Sequence, residues 1–104
     1  MNQLVLQFSP FGLVLKDFDK LVRLEDELID ALEGHAKVDG HDMGSNEGNL
    51  FIFTTDPSET FSRCLPIVEC AGLMKLLGAG YRDVDGEIYT RVWPKQDAAA
   101  FTVK

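Results

Sequence analysis

The hydrophobic pattern changes period several times along the chain. In Gln3-Leu4-Val5-Leu6-Gln7-Phe8, Leu4, Leu6 and Phe8 fall on one side and Gln3, Val5 and Gln7 on the other, which predicts a strand with one well-buried face. From Asp17 to Glu33 the apolar positions Phe18, Leu21, Val22, Leu28, Ile29 and Leu32 recur at steps of three and four. That spacing predicts a helix, with Asp17 or Asp19 as its N-cap and Gly34 as its stop. A weaker alternation over 35–42 reads as a polar edge strand. The glycine-flanked turn 44–48 joins it to the apolar, β-branched run 49–55, a central strand. Asp56-Pro57-Ser58-Glu59 carries a helix-start signature: a capping acid, proline at the first helical position, and glutamate three residues after the cap. The helix that follows places Phe61, Cys64, Leu65, Val68 and Ala71 on one face, and Pro66 inside it predicts a kink or an early end. Leu73, Met74, Leu76 and Leu77 have the spacing of a further helical turn. Tyr81–Val84, Asp85-Gly86 and Glu87–Trp93 then read as a hairpin, because Asp-Gly between two β-rich runs favours a tight turn.

The order strand, helix, strand, strand, helix, strand, with an extra short strand near the C-terminus, resembles the ferredoxin-like βαββαβ two-layer sandwich. The expected fold is therefore α+β, an antiparallel sheet with two helices on one face. Residues 1–94 form a single domain in this reading and 95–104 a loose tail onto which Phe101 and Val103 could dock. The resemblance is one of architecture and implies no particular activity.

Charge is distributed unevenly. Ten of the seventeen acids, against three of the ten bases, lie between Asp17 and Glu47, so this segment accounts for the whole net charge of −7. Such a field repels phosphate backbones and anionic lipid, and argues against nucleic acid or membrane as partner. On the predicted first helix, Asp26, Glu27, Asp30 and Glu33 form an acidic docking face suited to a basic protein. No apolar run approaches the roughly 18 residues that cross a bilayer, and Met1-Asn2-Gln3 lacks a basic leader start, so the expected location is cytoplasmic. Cys64 and Cys70 fall six residues apart in one helix, about 9 Å along its axis, too far for a disulfide; both should be free thiols in a reducing compartment.

A two-layer fold covers one sheet face with helices and leaves the other open. Placing Leu50, Ile52, Ile88 and Val92 beneath the helices leaves Phe51, Phe53, Tyr89, Arg91 and Trp93 on the open face. That apolar patch is large for a monomer and has the aromatic-plus-arginine composition of interface cores. An RNA-recognition motif would want a base before Gly48 and further aromatics around Phe51. The stretch Glu47-Gly48-Asn49-Leu50-Phe51-Ile52-Phe53-Thr54 begins with an acid instead. Glu25 sits within the apolar stripe of the first helix, where a carboxylate needs a cationic partner such as Arg63, Arg82 or Arg91 or becomes a candidate proton-transfer group. His41 is the other candidate for proton transfer. The cluster His35, Asp39, His41 and Asp42 lacks the tight spacing of a metal signature, and no metal or cofactor is expected. These features point to a non-enzymatic binding module that homodimerises through its aromatic sheet face. The alternatives are an acidic immunity or inhibitor protein docking a basic partner, and a dimeric α+β barrel enzyme with a pocket between two sheets.

Overall fold

The computed structural model describes residues 1–12, 15–94 and 101–103. Five strands form one antiparallel sheet: β1 (Asn2–Phe8), β2 (Lys37–Gly44), β3 (Glu47–Thr54), β4 (Leu77–Asp83) and β5 (Thr90–Trp93), in the spatial order β2-β3-β1-β4-β5. Two helices, α1 (Leu15–Ala31) and α2 (Pro57–Cys70), cover one face. The two-layer α+β sandwich anticipated from the pattern is the fold observed, with β5 as the extra edge strand.

The core follows from the alternation of β1. Leu4, Leu6 and Phe8 are fully buried beneath the helices, level with Ile52, Leu50 and Gly48 on β3 and with Tyr81, Ala79 and Leu77 on β4. Leu21, Leu24 and Leu28 of α1, Leu32 in the turn after it, and Phe61, Cys64 and Val68 of α2 close the core from above. The α1 stripe is rotated from the one expected. At roughly 100° per residue the four leucines share an arc of about 80°, and Phe18, Val22, Glu25 and Ile29 lie together on the flank beside it. Phe18 and Ile29 are accordingly 48% and 47% exposed. Gly34, at φ +79°, ends the helical turns as expected, in the left-handed region a non-glycine residue seldom adopts.

Local signals explain the connections. Ser45 and Asn46 both have positive φ, the geometry of a two-residue hairpin turn between β2 and β3. Asp56 caps α2 by accepting a hydrogen bond from the Glu59 amide at 3.1 Å. Pro66 does not end α2 early: the helix runs on to Cys70, and Pro66 is exposed, so the carbonyl it leaves unbonded can face water.

Three expectations near the C-terminus are corrected. The segment read as another helical turn supplies only a short 3-10 turn, Met74–Leu76, and then the central strand β4. Leu77, Ala79 and Tyr81 alternate with Gly78 and Gly80, whose missing side chains hid the strand period. The link between β4 and β5 is longer than an Asp85-Gly86 hairpin, spanning 84–89, and Arg82 Nη1 holds its start by donating to the carbonyls of Asp83, Val84 and Gly86. Ile88, expected under the helices, lies in that link and is 87% exposed. The proposed tail lies outside the described residues at 95–100 and 104. Phe101 is described and buried.

Cys64 and Cys70 are free thiols, the first buried and the second exposed. Burial pushes the Cys64 thiol up from its ordinary 9.0 to about 12. An unfolded chain releases this proton near pH 9 and the folded one only near 12. Unfolding therefore sheds a proton in that window, and stability is intact below pH 9 and falls as pH rises towards 12. Chemical denaturation across pH 8–11 should show this fall, shallower in Cys64→Ala. An alkylating reagent at pH 8 should modify Cys70 alone until the protein unfolds.

Candidate functional site

The open sheet face is built by the residues that alternate with the core. Gln3, Val5 and Gln7 of β1 lie level with Phe53, Phe51 and Asn49 of β3 and with Arg82, Gly80 and Gly78 of β4. Phe51, Phe53, Tyr89 and Arg91 are half-buried. Arg91 is level with Gly80, on the open side as expected. Trp93 is not. The β4–β5 ladder shifts register between Ala79 and Gly80, so Val92 is an extra residue and Trp93 pairs with Ala79, on the helix side. Its ring lies 6.1 Å from that of Phe61 in α2. A bulge breaks the period-two rule that had placed Arg91 and Trp93 together.

Phe101 takes up the space on that face. Its ring lies over Gly80, where an added Cβ would come within 2.5 Å of it, and its centroid is 5.3 Å from that of Tyr89 and 5.5 Å from the Arg91 guanidinium carbon. Phe101 is 4% exposed, and Val5 beneath this side of the sheet is fully buried. Beside the ring runs a polar network that spacing alone did not reveal. Gln7 Nε2 donates to Thr102 O at 2.8 Å and lies 3.1 Å from both Glu47 Oε2 and Asn49 Oδ1, while Asn49 Nδ2 donates to the same Glu47 oxygen at 3.1 Å. Glu47 and Asn49 are buried at 3% and 1%, so these hydrogen bonds replace the water they have lost.

The two proton-transfer candidates meet each other. Glu25 Oε2 lies 3.1 Å from His41 Nδ1, with the carboxylate side chain 16% exposed and the imidazole 28%. The partner of Glu25 is thus a histidine on β2 and not one of the arginines. The rotated stripe explains this: Glu25 is on the α1 flank that borders β2, and His41, level with Leu50, points to the same layer. Phe18 adds an edge-on contact, its ring centroid 5.9 Å from that of His41. The pair lies on the helix side of the sheet, away from the open face that would line a pocket between two sheets.

Asp26 and Asp30 are exposed on α1 beside the partly exposed Phe18 and Ile29, and Glu33 is exposed in the turn that follows the helix. Glu27 is exposed on the opposite flank, facing α2, where it lines a depression with Lys16, Asp19, Lys20, Arg23 and Cys70, so the four carboxylates expected as one acidic docking face are divided between two sides of the helix. A shallow depression at the far end of the sheet is lined by His35, Lys37, Phe53, Thr54 and Val84. His35 Nε2 there is 3.0 Å from Thr60 Oγ1, itself 2.6 Å from Thr54 Oγ1, which accepts from the Asp56 amide; this chain of hydrogen bonds fastens the start of α2 to β3. Among the described residues no group of three or more His, Cys, Asp or Glu is placed to hold a metal ion, and no helix is long and apolar enough to cross a membrane. No family model, curated protein or solved structure matches the chain.

Two outcomes follow for folding. Glu25→Ala and His41→Ala should be non-additive in chemical denaturation, with a coupling of about 0.2–1 kcal/mol that shrinks at high salt. Trp93→Asp should lower stability without acting on the open face, because it places a carboxylate against Phe61.

Proposed function

We propose that the protein is a small non-enzymatic interaction module that associates with a second copy of itself through the open sheet face, without a cofactor. The observation that carries this reading is the layout of that face. Phe51 and Phe53 are half-buried in it, Lys37 and Arg82 lie at the Phe53 end of the strands, and the exposed Asp42 lies at the other. A two-fold axis running across the strands sets the basic end of one copy over the acidic end of the other and brings the phenylalanines together. One patch is then complementary to itself, as an isologous dimer requires. The free thiols suit a reducing compartment, and we place the protein in the cytoplasm.

A second reading, an acidic inhibitor or immunity-type protein, is favoured by Phe18 and Ile29, which stand exposed beside Asp26, Asp30 and Glu33. An apolar strip rimmed by carboxylates fits a basic protein partner, and such a complex would weaken steeply with salt.

Light scattering across a range of concentrations tests the first reading. The wild-type mass should rise above 11.6 kDa as concentration increases, and Phe51→Asp should hold it at 11.6 kDa with an unchanged circular dichroism spectrum. An identical rise in the variant would assign association to another surface and overturn the reading.

A further inference from the structure

Facing sheets pack about 10 Å apart, with the side chains of the two inner faces filling the space between them. On the open face of this protein part of that layer is already occupied: the Phe101 ring lies over Gly80, and the carbonyl of Thr102 is held by Gln7 of β1. A second copy cannot pack directly on β1 and β4 while this segment is in place. We propose, resting on the sheet-face reading above, that residues 101–103 are a strap that covers the self-association surface in cis and must leave before two copies can pack together.

The attachment suits a segment that can be released. Phe101 is its one fully buried side chain, gripped by Tyr89 and Arg91 and admitted only because residue 80 has no Cβ. Thr102 is exposed, and its carbonyl bond to Gln7 is open to water. One buried side chain holds residues 101–103, where four, Leu4, Val5, Leu6 and Phe8, hold β1 in the sheet. Release would bare Val5 and Gly80 next to Phe51, extending the apolar surface where the partner must sit. The apparent affinity of two copies is then lowered by the fraction of molecules with the strap open, and any change that opens it strengthens association.

Sedimentation equilibrium on the 104-residue chain tests this with five proteins: wild type, Phe51→Asp, Phe101→Ala, Gly80→Ala and Phe101→Ala/Phe51→Asp. Gly80→Ala keeps the phenylalanine and evicts it by placing a Cβ in its seat. Circular dichroism checks that each is folded, and faster proteolysis of the tail checks that the strap is released. The expected result is association at least tenfold tighter in both Phe101→Ala and Gly80→Ala than in wild type, abolished in the double variant. Equal association in wild type and Phe101→Ala, lost in Phe51→Asp, would overturn the strap and leave the sheet-face reading standing. Weaker association in Phe101→Ala would make the tail part of the interface and also overturn the strap. Absence of association in every protein at millimolar concentration, with the tail released, would overturn both.

Discussion

A strand that is hydrogen-bonded along both edges and buried at its centre on both faces needs a cover on each side, and β1 is such a strand. Leu4, Leu6 and Phe8 face the helices and Val5 faces the other way, all with no measurable exposure. The helix side is closed by the leucines of α1 and by Phe61, Cys64 and Val68 of α2. The other side has no helices. There Phe101 supplies the cover, and the glycines of β4 make the room: at position 80 any side chain would collide with the Phe101 ring. The strand order, the choice of small residues in β4 and the position of the C-terminal segment are all answers to the same requirement, that the middle of the sheet be kept from water.

That requirement also organises the charges. Once Leu21, Leu24 and Leu28 turn to the core, the remaining surface of α1 divides into flanks. Glu25, with Phe18 and Ile29, borders β2; Lys16, Lys20 and Arg23 border α2; and the carboxylates Asp26 and Asp30 face solvent. Glu25 meets His41 because both are on the border between helix and edge strand, where a carboxylate is partly stripped of water and an imidazole is the nearest donor. The edge strand β2 carries a register shift next to Asp39 and exposed carboxylates at Asp39 and Asp42, devices that discourage another strand from pairing there. In the proposed self-association this leaves the open face, and not the β2 edge, as the contact.

The elements with strong local signals were legible from the chain alone. The alternation of β1, the apolar run of β3, the Asp56-Pro57 start of α2 and the Gly34 stop of α1 each rest on a period or a cap confined to a few neighbouring residues, and the sandwich follows from their order. The five aromatic and arginine residues assigned to the open face were right for Phe51, Phe53 and Arg91 in their alternation and wrong for Trp93, because one inserted residue at Val92 reverses the side on which everything beyond it falls. Gly78 and Gly80 gave β4 no pattern, since a glycine marks neither face.

By itself, then, the sequence determined the class of fold, the helix-facing residues of the central strands, the free state of both thiols and the concentration of negative charge on α1. These depend on spacings of two to four residues or on composition, which the linear chain carries in full. Only the tertiary structure decided that Glu25 pairs with His41, that Gln7, Glu47 and Asn49 share a network with Thr102, and that Phe101 occupies the open face. Each of these depends on a contact between residues far apart along the chain, 16 positions for Glu25 and His41 and 95 for Gln7 and Thr102. Such partners are chosen by register, by a bulge and by the space a missing side chain leaves, and none of these is set until the sheet has formed.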